Sequence, residues 1–404
     1  MDMMFHNTQN HLPGETFTYE DCHFILQKYR EEKGHDPIFI SSWDADEKVR
    51  LPYFILEKTL PYLSPDINKY YLIGEDQGQT SVAHYLNNRI GIELSPSQII
   101  IGGSATSLIC FTLLVLTNRR KHILVLEPSY YSVHDTLDLL HCQYHSVCVS
   151  IPGFTYDYKE IEAIIQHEKI NVIVVTDPIF GSGIPLSQEC YHRLTDLANQ
   201  YHCTLVVDLA RMGLSWDAKD EPILGEQFAW IQRAKEYVAV YSPCKKVFAN
   251  GMKTGILLSS EGLVNKMQCY GDSVLGSISA SQSLFLSTLL LDDSRDYISR
   301  QICENISLAK SRFEIINTLF HQQKCTIYKP QMGHYALVTL PIAGSTEWQT
   351  FLKLLHQADV YTLPMGLYGY NSNLLYSFRV NLFTDIKKLI EAADRIVTTL
   401  ENSE

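Results

Sequence analysis

The chain has no apolar stretch of membrane-spanning length, no run of basic residues, no CxxC pair and no internal repeat. The first absence excludes a bilayer-spanning helix, which needs about 20 apolar residues. The second, with a net charge of -12, argues against nucleic acid or an anionic membrane as partner. Ten cysteines are scattered without regular spacing, so neither a disulfide scaffold nor a zinc site is suggested. Free thiols in that number point to a reducing compartment. Residues 1–15 are polar and lack an apolar signal core, so a cytosolic protein is expected.

What the chain does have is enough apolar material for a large core. Its 404 residues exceed the usual size of one core, so two domains are expected. From residue 98 short apolar runs alternate with helical patterns. Strands are predicted over 98–101, 122–126, 143–149, 172–175, 204–208 and 237–241, with helices over 107–117, 132–140, 158–167 and 186–201. Strands that are apolar throughout, separated by helices, indicate a largely parallel sheet covered on both faces. Beyond residue 282 the pattern changes. A long helix is predicted over 283–320, then strands over 325–328, 335–340 and 377–382, and helices over 348–358 and 386–400. This reads as a smaller mixed α/β module, with the helix over 19–33 packing against it.

Ligands gather at the carboxyl ends of the strands in such a sheet. At one such end the stretch 237–241 runs into Ser242-Pro243-Cys244-Lys245-Lys246. A lysine there is placed to be desolvated, which lowers its pKa and makes its amine a nucleophile. Lys253, eight residues on, is a second cation suited to an anion. Taken alone, the stretch also reads as a surface turn with three solvated lysines. Gly102-Gly103-Ser104-Ala105-Thr106, between a strand and a helix, can aim backbone N–H groups at a phosphate, or be an ordinary tight turn. Asp208 ends a buried strand, where a charge calls for a cation, a protonated ring nitrogen or a structural salt bridge. Tyr130 and Tyr131 offer aromatic faces. Arg379, inside the apolar strand 376–382, suits a carboxylate, from a ligand or from a structural Asp or Glu.

Together these elements resemble the fold-type-I pyridoxal-phosphate enzymes, specifically the class I/II aminotransferase superfamily, over about residues 38–400. The pattern S-x-x-K-x-x-x-x-x-G-x-[RK]-x-G is matched by Ser242, Lys245, Gly251, Lys253 and Gly255. That register selects Lys245 over Lys246. The resemblance implies Lys245 as the Schiff-base lysine and Asp208 as the partner of the pyridine nitrogen. It implies Gly103, Ser104, Ala105, Ser242 and Lys253 around the phosphate, and Tyr130 stacked on the ring. Arg379 would hold the substrate carboxylate, and Tyr71 would reach the phosphate of a neighbouring subunit. Trp43, Asp44, Tyr131, Phe180 and Arg211 would meet the substrate side chain. It implies an N-terminal arm and part of a small domain over 1–50, a large cofactor-binding domain over 51–285 and a small domain over 286–404. A homodimer acting on an amino acid, with an oxo acid as acceptor, is expected.

Two departures stand out. The family segment N-P-x-N-P-T-G is here Asp177-Pro178-Ile179-Phe180-Gly181-Ser182-Gly183, so Phe180 replaces an asparagine that donates to the cofactor's phenolic oxygen. The segment D-x-A-Y-x-G is here Asp208-Leu209-Ala210-Arg211-Met212-Gly213, so Arg211 replaces the tyrosine that shares that task. The expected activity is therefore an aminotransferase. The alternative is another pyridoxal-phosphate reaction on an amino acid, as a lyase, cyclase or oxidase in a biosynthetic pathway. The acidic loop Asp44, Asp46, Glu47 suggests a preference for basic side chains.

Overall fold

The structure, a computed structural model, describes residues 18–42, 45–50, 53–66, 77–117, 122–217, 220–276, 279–290, 292–321, 325–341, 345–370 and 375–401. Trp43, Asp44 and Tyr71 lie outside the described residues. In chain order the strands are β1 (Ile38–Phe39), β2 (Ile99–Gly102), β3 (His122–Glu127), β4 (Tyr144–Cys148), β5 (Ile170–Thr176), β6 (Thr204–Leu209), β7 (Tyr237–Tyr241), β8 (Gly255–Ser259), β9 (Thr326–Tyr328), β10 (Tyr335–Pro341), β11 (Val360–Tyr361) and β12 (Leu375–Asn381). The helices begin with α1 (Tyr19–Lys33), α2 (Tyr53–Asp66), α3 (Gln77–Tyr85), α4 (Ala105–Leu116), α5 (Ser132–Leu139), α6 (Tyr158–Glu168) and α7 (Gln188–Tyr201). They continue with α8 (Asp220–Ile231), α9 (Pro243–Lys246), α10 (Glu261–Val274), α11 (Ala280–Leu290), α12 (Arg295–His321), α13 (Glu347–Ala358) and α14 (Ile386–Glu401).

The chain divides into two compact units. One comprises Met1–Asp46, Ser311–Lys329 and Tyr335–Glu404, the other Glu47–Lys310 and Pro330–His334. The larger unit is built on a seven-stranded sheet in the order β2-β8-β7-β6-β5-β3-β4. Only β8 runs against the others in this sheet, pairing antiparallel with both β2 and β7. The sheet is thus largely parallel, as expected, with β8 as its antiparallel member. β6 and β7 are buried at every residue, as strands covered on both faces must be. On one face Val172, Val174, Val206, Val238 and Leu257 join Leu108, Ile109 and Leu113 of α4 in a common core. Each such side chain contributes about 1.5–3 kcal/mol by leaving water. Sequence-local signals set the helix starts: Ser104, Asp157 and Ser187 accept hydrogen bonds from first-turn N–H groups of α4, α6 and α7.

The helical stretch expected over 283–320 is two helices, not one. α11 ends at Leu290, a short 3₁₀ turn follows at Asp292–Ser294, and the Ser294 hydroxyl donates to the Thr288 carbonyl (2.8 Å). That bond satisfies a carbonyl the helix end leaves open. No helix was predicted over α8, which has a glycine inside it. A Cβ at Gly225 would stand 2.6 Å from the Ile90 carbonyl oxygen, so the glycine permits a backbone contact rather than breaking the helix.

The smaller unit holds the antiparallel sheet β12-β10-β9 and the short parallel pair β1-β11. Both α1 and α13 start with a capping box, Thr18 with Asp21 and Thr346 with Gln349. Arg312 is buried in this unit, where it pairs with Asp46 and donates to the carbonyls of Leu382 (3.2 Å) and Thr384 (3.0 Å). Asp46 is thus already matched by a buried cation, which removes it from the acidic surface expected to attract a basic substrate. Among the described residues no helix is long and apolar enough to cross a membrane.

Candidate active site

β7 is followed directly by Ser242, and Pro243 opens the single turn α9. Proline suits a first helical position because its fixed φ is already helical. The Lys245 N–H donates to the Ser242 carbonyl (3.1 Å), holding the lysine at the carboxyl edge of the sheet. Asp208 is on the adjacent strand, in register with Val240, and so reaches the same edge. It is 6% exposed and accepts a hydrogen bond from the Ala210 N–H (2.9 Å). Burial pushes its carboxyl up to about 6, against the Ala210 N–H and the charges of Arg211 and Lys245, which hold it lower. Lys245 moves the other way, down to about 8, through burial first and then the positive charges of Arg211 and Lys253. Arg211 therefore acts on both members of the pair.

The two adjacent lysines have separate environments. Lys246 is buried and its stem lies over Gly213, where a Cβ would be 3.0 Å from Lys246 Cδ. Gly213 has φ +105°, so a side chain there would be strained as well as crowded. Lys246 lines a cavity of about 470 Å³ together with Tyr241, Pro243 and Val247; Lys245 is not among its lining residues. Lys245 is half-buried beside Asp208 and Arg211 instead. The two lysines thus differ in surroundings, and the one selected by the sequence register, Lys245, is the one lying beside Asp208 and Arg211.

The turn 103–105 lies two strands away, beside β8. Ser104 caps α4, its Oγ accepting from the Ser107 N–H (2.9 Å), which leaves the remaining first-turn N–H groups directed off the helix end. Gly102 pairs with Gly255 across β2 and β8. A Cβ at Gly255 would be 2.7 Å from Ala105 N and from Ser104 C, so only glycine lets β8 press against this turn. Lys253 precedes it by two residues, exposed and in the left-handed region at φ 48°. The Ser242 hydroxyl donates to the Thr254 carbonyl (2.8 Å), closing the 242–255 loop across its base. Gln282 of α11 donates to the Lys253 carbonyl (3.1 Å) and comes within 4.0 Å of where a Gly103 Cβ would stand. Gln282 was missed because a lone glutamine in a helical stretch carries no motif.

The Tyr130 ring lies 4.4 Å from that of Tyr131 and 5.7 Å from that of Phe180, tilted in both cases. Phe180 is buried. Asp177, three residues before it, is fully buried and accepts from Tyr191 Oη (2.5 Å), Gln227 Nε2 (2.7 Å) and Leu186 N (2.9 Å). Burial pushes its carboxyl up to about 7, while the Tyr191 and Leu186 bonds pull it back. Asp177 thus fixes the segment that carries Phe180. Arg379 belongs to the smaller unit, on β12, 1% exposed. Its Nε and Nη2 donate to the Ser41 carbonyl (both 3.3 Å), and its guanidinium lies 4.7 Å from the Tyr335 ring centroid and 5.9 Å from that of Tyr368.

A half-buried amine lies beside a buried carboxylate, and a capped helix start stands on the same sheet. The family described as aminotransferase class I and II matches residues 57–396. The chain is 23% identical over 379 residues to an aspartate aminotransferase of Sulfurisphaera tokodaii, covering 89% of this chain and 88% of that one. It superimposes on the Thermus thermophilus aspartate aminotransferase with maleate at a TM-score of 0.81, 16% identity, covering 96% and 97% of the two chains. An Escherichia coli protein with a methionine aminotransferase function matches at 0.77, 15% identity, covering 98% and 100%. The chain belongs to the class I and II aminotransferase family, whose fold-type-I enzymes depend on pyridoxal phosphate. The residues present fit that group: Asp208 is a buried carboxylate suited to a cation, Lys245 a depressed amine, and the 103–105 turn a helix start packed against β8 through Gly255.

Proposed function

We propose that the protein is an aminotransferase acting on an amino acid, with Lys245 as the Schiff-base lysine. The observation that carries this reading is the pairing of an amine brought down to about 8 with a buried carboxylate on the next strand. When bound, pyridoxal phosphate supplies an aldehyde for amines and a protonated ring that takes up the electrons left at the substrate's α-carbon. Asp208 keeps the proton on the ring nitrogen, because a buried carboxylate is stabilised by an adjacent cation. Ser242, Lys253 and the turn Gly103, Ser104, Ala105 bind the phosphate, and Tyr130 packs on the ring face. Once displaced by substrate, Lys245 removes the α-proton as general base, a task suited to an amine that is partly neutral near pH 8. Arg379 grips the substrate carboxylate through parallel N–H donors. Trp43 and Tyr71 complete the proposed set, Tyr71 toward the partner in a homodimer. Amino acid and oxo acid are the substrate classes.

Phe180 and Arg211 favour a second reading, a lyase, cyclase or oxidase on an amino acid. Phe180 is buried against Tyr130, and Arg211 puts a positive charge beside both Lys245 and Asp208. The guanidinium would favour the phenolate form of the bound cofactor, while the apolar ring would take away one of its usual hydrogen-bond donors. The test mixes the holoenzyme with candidate amino acids in a single turnover. One equivalent of oxo acid, with the amino group retained on the cofactor, supports transamination; ammonia release with the aldehyde form retained supports the second reading.

A further inference from the structure

At the opposite edge of the large sheet, away from Lys245, three side chains converge whose chemistry the proposed reaction does not use. His122 is the first residue of β3, and His145 lies near the start of the neighbouring parallel strand β4, in register with Leu124. Glu168 ends α6, Lys169 turns the chain in the left-handed region (φ 52°), and Ile170 pairs with His122. The strand pairing thus fixes the start of all three approaches. One nitrogen from each histidine and one Glu168 oxygen all lie within 4.8 Å of one another. His145 Nε2 and Glu168 Oε2 are 3.5 Å apart. Tetrahedral donors at zinc bond lengths stand about 3.3 Å from each other, so that pair is already spaced for a shared ion. A His122 ring nitrogen stands within 4.8 Å of both.

A second observation comes from His122 itself. Its Nδ1 is shut off from solvent and finds no hydrogen-bond partner among the described residues. A buried ring nitrogen left this way is costly, and coordination is one way to satisfy it. We propose that His122, His145 and Glu168 form a site for one divalent transition-metal ion of the zinc class. Two imidazoles favour zinc over magnesium or calcium, which take oxygen donors, and three protein donors leave a fourth position for water. Such an ion ties β3, β4 and the α6–β5 connection together where no loop links all three. This site is separate from cofactor chemistry: β3 is six residues long, so about 17–20 Å separates its His122 end from its Glu127 end.

The test uses the purified holoprotein stripped of metal by a chelator, then titrated with zinc against a chromophoric competitor. We expect one equivalent bound per chain with micromolar or tighter affinity, and a melting temperature raised by about 5 °C at a hundredfold excess over Kd. H145A and E168Q should each bind at least tenfold more weakly, with the visible absorbance of the bound cofactor unchanged. The exposed thiol of Cys148, at the other end of β4 beside Glu127, is a zinc donor outside the proposed site; C148S should bind zinc as the parent does. Absence of stoichiometric zinc overturns the proposal, as does equal affinity in E168Q or loss of binding in C148S. Should H145A fail to fold, E168Q, a near-isosteric change at a half-exposed position, decides alone.

Discussion

Cofactor-free protein should react with simple aldehydes at Lys245 with a midpoint near pH 8. Burial, the Arg211 guanidinium and the Lys253 ammonium bring the amine down from 10.5 to about 8. At pH 7.5 about a quarter of the molecules then carry a neutral amine, against about one in a thousand for a solvated lysine. The advantage is roughly 200-fold in reactive amine. Borohydride trapping across pH 6–10, followed by peptide mass spectrometry, reads the label on Lys245 and Lys246 separately. Arg211→Gln removes the second cause and should move the Lys245 midpoint upward. The same shift has a stability counterpart. The folded value lies below the unfolded one, so the fold penalises the protonated amine, fully so below about pH 8. Relative to Lys245→Met, the cofactor-free parent should gain about 3 kcal/mol as pH rises from about 8 to about 10.5. A Lys245 midpoint at the ordinary lysine value, or earlier labelling of Lys246, would refute the reasoning.

Gly255→Ala forces a Cβ to within 2.7 Å of two backbone atoms of the 103–105 turn, whereas Gly251→Ala meets nothing within 4 Å. The first should cost about 1–3 kcal/mol in thermal melts and weaken cofactor binding, and the second should change neither; equal melting of the two variants would disprove the contact's importance. Asp208→Asn should lower turnover at least about a hundredfold, by leaving a buried cationic ring without its partner. Its cofactor-free form should melt no lower than the parent at pH 8. Burial raises Asp208 from 3.8 to about 6, so its neutral form favours the fold below pH 4 and that contribution fades as pH rises through 6. Arg379→Lys should raise KM for the amino acid by about ten- to a hundredfold with a smaller change in kcat, because lysine cannot make two parallel bonds; an unchanged KM would remove Arg379 from the substrate site.

The strands were legible because each is short, apolar and flanked by helical spacing: the 237–241 and 204–208 readings end at or within one residue of β7 and β6. Lys245 and Asp208 of the candidate site stood out for the same reason, since a charged residue at the end of an apolar run is conspicuous. What the sequence hid was the direction of β8, because an apolar run reads the same either way. It hid α8, whose glycine is explained only by the Ile90 carbonyl that faces it. It also hid Asp177's partners, since Tyr191 and Gln227 lie 14 and 50 residues away and meet it only through folding. Asp46 misled in the opposite sense: an acidic loop residue looks solvated until Arg312 is placed beside it.

The reversed strand β8 bears on how this protein can change over evolutionary time. A chain that leaves β7 and returns along β8 comes back to the edge it left, so residues 242 and 255 are the two feet of one arch, pinned by the Ser242–Thr254 bond. Insertions near the crown, around Asn250 and Gly251, would lengthen the arch without moving either foot. A deletion between Lys253 and Gly255 would draw a foot off the sheet and uncouple Lys253 from the 103–105 turn. Change is therefore accommodated most readily at the crown and around the arch, while its two ends stay in place.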